Sequence, residues 1–202
     1  MQRRAVLASG LALLAAGPAL AQENPSAAPA PSPPQPGAGG RAPEYSHDEI
    51  VDRVSDFLGV TAESAGAAIE RIFKQNGRPT AYIAGEEGSV AFIFGLRYGK
   101  GLIYMKDRPT QAVYWQGPSV GFDAGGNASR VFVLCYNLEY ADAIYRRFPG
   151  VDGSAYFIGG LGVNYQRADG ITVAPIRAGV GLRLGASVGY LAYSRHQNII
   201  PL

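Results

Sequence analysis

Strict alternation of apolar with small or polar residues over one long segment limits most strongly what this chain can fold into. The segment, VAPIRAGVGLRLGASVGYLAY (residues 173–193), has apolar residues at every second position from Ala174 to Ala192. The intervening positions from Arg177 to Gly189 hold only arginine, glycine and serine. A period of two is typical of a β-strand with one face against a core, so the segment predicts a half-buried strand.

The length of this segment requires strong curvature. Its 21 residues would span roughly 70 Å if straight, whereas a domain of this size is only about 40 Å across. Glycines on one face let a sheet coil without collisions between Cβ atoms, and nineteen glycines lie between Arg78 and Leu202. A second alternating stretch, VAFIFGLRYG (90–99), follows the same rule. The chain therefore predicts a mainly β fold: a small, strongly coiled, antiparallel, glycine-rich β-barrel.

Two amphipathic helices are predicted to precede the strands. The stretch SHDE (46–49) is a capping box, apolar residues follow at helical spacing, and Gly59 supplies a left-handed stop. A second helix is predicted from Thr61 to Gly77, with its apolar residues on one side. One short internal helix is predicted within YADAIYRRF (140–148).

The N-terminus predicts an exported protein. A basic start, an apolar run and the sequence Ala19-Leu20-Ala21 indicate a signal peptide over residues 1–21, cleaved before Gln22. We therefore predict a periplasmic protein, with Sec and twin-arginine export both open. Residues 22–44 contain seven prolines and predict a disordered linker, either a tether or a plain spacer. Residues 45–202 should form a single domain.

Composition excludes several classes of partner and chemistry. Without the signal-peptide arginines Arg3 and Arg4, 16 basic residues face 16 acidic ones, so no basic surface for nucleic acid is expected. Cys135 is the single cysteine and is predicted to be a buried small hydrophobe. No spacing of histidine, cysteine and acidic residues suits a metal, and no glycine-rich loop suits a dinucleotide. We predict neither metal nor cofactor.

Two stretches match the G-x-S-x-G pattern of hydrolases, GPSVG (117–121) and GASVG (185–189). A nucleophile elbow needs a strand, a tight turn and a helix, followed along the chain by an acid and a histidine. No acid follows Ser187, no helical run follows Ser119, and His196 is the one histidine after either serine. Both serines are predicted to be strand or turn residues, and the protein is predicted to have no catalytic residues.

A polar and aromatic group around the first of these stretches is the best candidate for a binding site. Aromatic rings could stack on a sugar or acyl surface, and the polar side chains could supply hydrogen bonds. The alternative is that Trp115 belongs to the core, the more frequent place for a tryptophan, and that Asp123 and Arg130 order a glycine-rich turn. The candidate ligand-binding residues are Tyr114, Trp115, Gln116, Asp123, Asn127 and Arg130.

Four segments, spread over about residues 50–195, carry a family resemblance: FGLRYGKG (94–101), VYWQGPSVGFDAGGNASR (113–130), IYRRFPGVDGSAYFIGGLGVNYQRADG (144–170) and VAPIRAGVGLRLGASVGYL (173–191). They resemble the envelope integrity protein A (EipA) family of alphaproteobacteria, formerly a domain of unknown function. The resemblance implies a periplasmic β-barrel with a role in the cell envelope tied to lipopolysaccharide. It implies no enzyme activity and no catalytic residues. The glycine-spaced strands are also distantly similar to SYLF-type lipid-binding domains.

Three hypotheses about function follow. The first is a non-enzymatic periplasmic protein that supports envelope integrity by binding an envelope lipid, a glycan or a protein partner. The second is an integral outer-membrane β-barrel, which export and alternation would also suit. The third is a hydrolase that uses Ser119. The sequence leaves open the ligand, the oligomeric state and whether the barrel interior is open or filled.

Overall fold

The computed structural model describes residues 42–123, 129–151, 154–178 and 189–197. The predicted signal peptide, nearly all of the proline-rich linker, Asn127 and Ser187 lie outside the described residues. So does the middle of the alternating segment, residues 179–188. The predictions made for these positions therefore stay predictions.

Both N-terminal helices form where the sequence predicts them. Helix α1 spans His47–Leu58 and helix α2 spans Ala62–Asn76. The backbone N–H of Ser46 donates to Glu49 Oε2 at 2.7 Å, and Ser46 Oγ accepts from the Glu49 N–H at 3.3 Å. Gly59 ends α1 with a left-handed φ of 70°. The capping box and the glycine stop are therefore confirmed.

The capping box makes a first prediction about stability. Replacing Ser46 by alanine should lower the free energy of unfolding by about 1 kcal/mol, because the N–H of Glu49 loses its acceptor. Urea unfolding followed by circular dichroism measures this change. Ser55→Ala is the control, because that hydroxyl lies within α1 and bonds only to the carbonyl of Asp52. Equal midpoints for the two variants would contradict the role of the cap.

The rest of the chain is mainly β and entirely antiparallel. The strands among the described residues are β1 Ala81–Met105, β2 Gln111–Asp123, β3 Ser129–Tyr136, β4 Arg147–Pro149, β5 Tyr156–Ile158, β6 Leu161–Val163, β7 Gln166–Ala168, β8 Ile171–Ala178 and β9 Tyr190–Ser194. These nine strands form one sheet in the order β4-β9-β2-β1-β3-β8-β6-β5, and β7 also pairs with β8. The predicted antiparallel β fold is confirmed.

The predicted internal helix is much shorter than residues 140–148. Only a four-residue 3-10 helix, Ala141–Ile144, forms there. The second half of the stretch enters β4, where Phe148 is fully buried and pairs with Leu191 of β9. Burial of one aromatic side chain against the sheet therefore outweighs the helical pattern of YADAIYRRF.

The pairing of β8 with β3 and that of β9 with β2 have the same register. Strand β1 pairs first with β3 and then with β2. On the other side of β2 and β3, Tyr114 pairs with Ser194 and Val131 pairs with Arg177. Tyr114 and Val131 are separated by 17 positions in the sequence, and so are Arg177 and Ser194. The start of the predicted alternating segment, which pairs with β3, and its end, which pairs with β2, therefore follow the same register.

Strand β1 curls so strongly that its two halves touch. A Cβ atom built on Gly85 would lie 2.7 Å from the Cα of Gly101, although a straight strand would separate these residues by about 50 Å. We call the face of the sheet that carries these glycines the inner face, and the opposite one the outer face. Gly150, the residue after β4, forms an isolated antiparallel β-bridge with Gln166 of β7. The sheet is thus a strongly curled half-barrel.

Both faces of the curled sheet are packed. The inner face holds one hydrophobic cluster that includes Ile83, Ile103, Val113, Trp115, Val133, Val173, Leu191 and Tyr193. The outer face packs against α1 and α2 through a second cluster that includes Ile50, Val54, Ile69, Ile72, Tyr82, Phe132, Leu134, Ala174 and Ile176. The described interior of the half-barrel is therefore filled by side chains.

Strand β8 corrects the prediction of a half-buried strand. Seven of its residues, Ile171 to Arg177, are buried, and both faces contribute. Ala174 and Ile176, from the apolar side of the alternation, pack beneath the helices, whereas Val173 belongs to the inner cluster. The prediction is wrong here because the helices cover the outer face. The polar side of the alternation, with Arg177, consequently faces inwards.

Candidate functional site

A buried charge cluster lies on the inner face of the sheet. Glu87 is 5 % exposed and Arg177 is 9 % exposed. Arg177 donates to both carboxylate oxygens of Glu87, with 3.1 Å between Nη2 and Oε2. Trp115 Nε1 donates to the same Oε2 at 3.2 Å, and Arg97 Nε lies 3.6 Å from Oε1. Arg177 Nη1 also donates to Asn164 Oδ1 at 3.1 Å.

Glycine makes room for this cluster. Gly99 pairs with Trp115 across β1 and β2, and a Cβ at Gly99 would lie 2.0 Å from the indole ring. Successive residues of a strand point to opposite faces. Gly99 and Gly101 therefore share the inner face with Arg97, as Gly85 does with Glu87. Because these glycines have no side chains, the sheet can curl, and space remains for the indole of Trp115 and the ion pair of Glu87 and Arg177.

The electrostatics of the pair favour the charged form of both groups. Burial alone would raise the pKa of Glu87, but the positive charges of Arg177 and Arg97 outweigh burial and hold that pKa below its ordinary value. Burial likewise disfavours the charged form of Arg177, and the carboxylate of Glu87 reverses this and raises the pKa of Arg177. A carboxylate held in this way cannot donate a proton near neutral pH, so Glu87 is unsuited to general acid catalysis.

A cleft of about 310 Å³ opens over the cluster. It lies where the two halves of β1 meet beside β2, and its volume is at the lower limit for small-molecule sites. Glu87 is its one buried lining residue, while Tyr98 and Tyr114 are half-buried and Lys100 is exposed. The lining consists of Glu86, Glu87, Gly88, Tyr98, Gly99, Lys100, Tyr114 and Gln197.

The cleft is suited to binding a polar ligand that has apolar faces. Tyrosine rings can pack against the C–H face of a sugar ring, while Lys100, Glu86 and Gln197 offer donors and acceptors at the rim. Within the part of the chain that the structure describes, no group of three or more histidine, cysteine or acidic residues could hold a metal. The arrangement therefore favours recognition through stacking and hydrogen bonds.

The structure separates the predicted ligand-binding residues. Tyr114 lines the cleft, whereas the next residue, Trp115, points to the inner face and is 2 % exposed. Gln116 is buried in the same strand. Trp115 is thus a core residue that reaches the cleft only through its hydrogen bond to Glu87.

The other predicted residues lie elsewhere. Arg130 is exposed on β3, and its Nη1 donates to the carbonyl of Phe57 in α1 at 3.1 Å. Asp123 is the last residue of β2, and Asn127 lies outside the described residues. The ligand-binding roles of all six residues stay predictions; of those that the structure describes, Tyr114 lines the cleft with Glu87 and Trp115 donates a hydrogen bond to Glu87.

Sequence reasoning missed Glu87, Arg97 and Arg177. A partial signal was present, because each of these charges lies two residues from a glycine: Glu87 from Gly85, Arg97 from Gly95 and Gly99, and Arg177 from Gly179. Such glycines can mark the inner face of a tightly curled sheet, where a charge has to be paired. The signal is not specific, since the exposed Glu86 lies two residues from Gly88 in the same way.

The hydrolase and thiol candidates have structural explanations. Ser119 lies within β2 and pairs with Gly95 of β1, so it is a strand residue and not the turn residue of an elbow. Cys135 is fully buried in β3, and burial raises the pKa of its thiol. The predictions of a strand serine and a buried small hydrophobe are confirmed.

Comparison with known proteins identifies the family. A crystal structure described as that of a beta-barrel-like, uncharacterized protein from Brucella abortus is similar, with a TM-score of 0.73 and 44 % sequence identity. The similarity covers 79 % of this chain and 99 % of that one. The family model described as envelope integrity protein A matches residues 43–202. This chain belongs to the EipA family.

The EipA match extends over both helices and every strand, so α1 and α2 are part of the EipA domain. The resemblance inferred from four segments is therefore confirmed, as is the barrel-like fold that it implied. No curated protein matches the chain. EipA proteins are envelope-associated by description, and no helix among the described residues is long and apolar enough to cross a membrane.

Proposed function

We propose that this EipA protein is a non-enzymatic periplasmic protein that supports the cell envelope by binding a saccharide unit of an envelope glycan. The observation that carries the proposal is the cleft over Glu87, in which two tyrosines stand beside charged and amide side chains. The predicted signal peptide and the family description support the cellular location.

The geometry of the cleft supports a saccharide over an acyl chain. Glu86, Lys100 and Gln197 would each have to lose water against an acyl chain without gaining a partner, which is unfavourable. A sugar offers hydroxyl groups to these side chains and an apolar ring face to Tyr98 or Tyr114. Glu87, fixed by Arg177, is a buried residue of the cleft wall.

A binding role also agrees with the electrostatics. Glycoside hydrolysis uses two carboxyl groups, one of which must be protonated. The lowered pKa of Glu87 works against that state. Glu86 and Glu87 are consecutive in β1, so their side chains leave the strand on opposite faces. These features favour binding without turnover.

A periplasmic location agrees with how the sheet is covered. A transmembrane barrel presents an apolar band to lipid along its outer face. Here the outer face of β1, β3 and β8 packs against α1 and α2. Osmotic shock should therefore release the protein from cells without detergent. Retention in the outer membrane until detergent is added would favour the integral barrel instead.

Binding to the cleft can be measured with the mature chain, residues 22–202. We expect phosphate-free peptidoglycan disaccharide-peptides, or dephosphorylated lipopolysaccharide core oligosaccharide, to bind in isothermal titration calorimetry. Tyr114→Ala should weaken this binding at least tenfold, or about 1.4 kcal/mol, because it removes a stacking ring from the wall. Tyr140→Ala is the control, since Tyr140 is exposed outside the cleft.

Equal affinities of the Tyr114 and Tyr140 variants, or no binding of either glycan, would contradict the proposal. A cellular measurement complements this one. Deletion of the gene should sensitise cells to detergents and wall-active antibiotics, and the Tyr140→Ala protein should restore resistance better than the Tyr114→Ala protein. Unchanged sensitivity after deletion would count against a role in envelope integrity.

A further inference from the structure

A second cavity, of about 360 Å³, lies between helix α2, the segment before β5, and strand β7. It shares no lining residue with the cleft over Glu87. Among the described residues that line it are two arginines and no acidic residue. The lining residues that matter here are Arg71, Gln75, Ser154, Tyr156, Tyr165 and Arg167.

The hydroxyl groups of this cavity are held in place. Tyr165 Oη donates to Gln75 Oε1 at 2.9 Å and lies 3.1 Å from Tyr156 Oη. Ser154 Oγ accepts from the backbone N–H of Tyr165 at 3.1 Å and donates to the carbonyl of the same residue at 3.3 Å. Burial raises the pKa of both tyrosines, so their hydroxyls stay protonated. The cavity wall therefore holds neutral hydroxyl groups that are fixed by hydrogen bonds within the protein.

The two arginines bring positive charge to the same place. The guanidinium of Arg71 stacks over the ring of Tyr156, 4.2 Å from its centre. Arg71 and Arg167 both act electrostatically on the hydroxyl of Tyr165 and favour its ionised form. The salt bridges among the described residues use other cations, Lys74, Arg97, Lys106, Arg146, Arg177 and Arg195. The positive charge of this cavity is therefore not neutralised by a described carboxylate.

A third tyrosine adds an independent observation. Tyr136 is 3 % exposed, and its Oη is buried with no hydrogen-bond partner among the described residues. Its pKa is raised first by burial and then by the nearby hydroxyls of Tyr165 and Tyr156. A buried hydroxyl without a partner is unusual in a folded protein. Tyr136 is not among the residues that line the cavity, so its hydroxyl marks a buried, unpaired donor near Tyr156 and Tyr165 and is not itself part of the site.

We propose that this cavity binds an oxyanion, namely a phosphate group carried by an envelope glycan or lipid. Planar guanidinium groups bind phosphate oxygens with paired hydrogen bonds. Arg71 and Arg167 supply these, and the neutral, internally hydrogen-bonded hydroxyls of Tyr156, Tyr165 and Ser154 line the cavity beside them. The site is separate from the saccharide cleft, so the failure of either proposal leaves the other intact.

Two probes distinguish the possible sources of the phosphate. Glucose 1-phosphate represents a phosphorylated sugar and is titrated into the mature chain by calorimetry. Phosphatidylglycerol vesicles represent a lipid headgroup, are tested by co-sedimentation, and are compared with phosphatidylcholine vesicles. We expect saturable binding of at least one phosphate probe, lowered at least tenfold by Arg71→Met with Arg167→Met. Binding of the sugar phosphate alone would identify a glycan, and binding of the vesicles would identify a headgroup.

A matched control removes the same charge elsewhere. Lys74→Met with Arg108→Met also removes two positive charges, one of them on helix α2, and neither residue lines the cavity. This control should keep the affinity within about twofold. Tyr165→Phe removes the hydroxyl that holds Gln75 and Tyr156 in the cavity wall without changing the net charge, and it should also weaken binding. Absence of saturable binding in both arms, or an equal loss in the charge-matched control, would overturn the proposal.

Discussion

Replacing Arg177 by methionine is expected to lower the free energy of unfolding by about 3–5 kcal/mol, because it leaves the carboxylate of Glu87 buried without its main partner. Urea unfolding at neutral pH measures this change. Arg195→Met is the control. It breaks the exposed ion pair with Asp142 and should cost less than about 1 kcal/mol.

The pH dependence of the same variant has a definite sign. In the wild type, the pKa of Glu87 is lowered on folding, so its ion pair contributes stability above the ordinary carboxyl pKa of 4.5. That contribution is lost as the pH falls below this value. Without Arg177, burial should raise the pKa of Glu87 in the folded state. The stability gap between the two proteins should therefore be widest near neutral pH and narrow below about pH 4.5.

A double substitution distinguishes two causes of lost stability, the buried carboxylate left without its partner and the missing packing of the Arg177 side chain. Glu87→Met combined with Arg177→Met removes both charges, and a hydrophobic pair of similar volume is often neutral or stabilising. Arg97 keeps some access to water, since its side chain is 16 % exposed. The double variant should therefore be more stable than Arg177→Met alone. If it were less stable, or if Arg177→Met behaved like Arg195→Met, the buried ion pair would be contradicted.

Replacing Gly85 by alanine is expected to destabilise the fold by about 3 kcal/mol, at the upper end for overpacking. A Cβ at this position would lie 2.3 Å from the carbonyl oxygen of Lys100 and 2.7 Å from the Cα of Gly101. Both contacts are with backbone, so no side chain can move to relieve them. Thermal unfolding and the yield of folded protein measure the effect.

Gly88 provides a matched control three residues further along the same strand. A Cβ at Gly88 would have no neighbour within 4 Å. Gly88→Ala should therefore change stability by no more than about 0.5 kcal/mol, as is usual for surface substitutions. If Gly85→Ala and Gly88→Ala were equally stable, the two halves of β1 could not be in contact and the curl would be wrong.

Local patterns predicted the local structure well. The capping box at residues 46–49 and the stop at Gly59 depend only on neighbouring residues, and both helices begin and end as expected. The stretch 140–148 also has a helical pattern, yet its second half forms a strand, because Phe148 is buried against β9. Tertiary packing therefore determines the structure of this stretch, and the local sequence pattern carries no information about that packing.

The candidate site was harder to predict because it depends on curvature. Tyr114 could be proposed from composition, but its proximity to Glu87 requires the two halves of β1 to meet. Alternation showed which residues share a face. It did not show that helices cover the outer face, which is why Arg177 turns inwards. The available clue was that Gly85 and Gly179 lie two residues from Glu87 and Arg177 in the sequence.

The indole N–H signal of Trp115 tests the central claim most directly. Trp115 is the single tryptophan, and its Nε1 donates to Glu87, the buried lining residue of the cleft. In nuclear magnetic resonance spectra of the ¹⁵N-labelled mature chain, a bound envelope saccharide should shift this one signal with the affinity found by calorimetry. Inorganic phosphate, which has no sugar ring and is expected to bind in the arginine-lined cavity, should leave it unmoved. An indole signal that stays in place at saturating saccharide would contradict a glycan-binding cleft over Glu87.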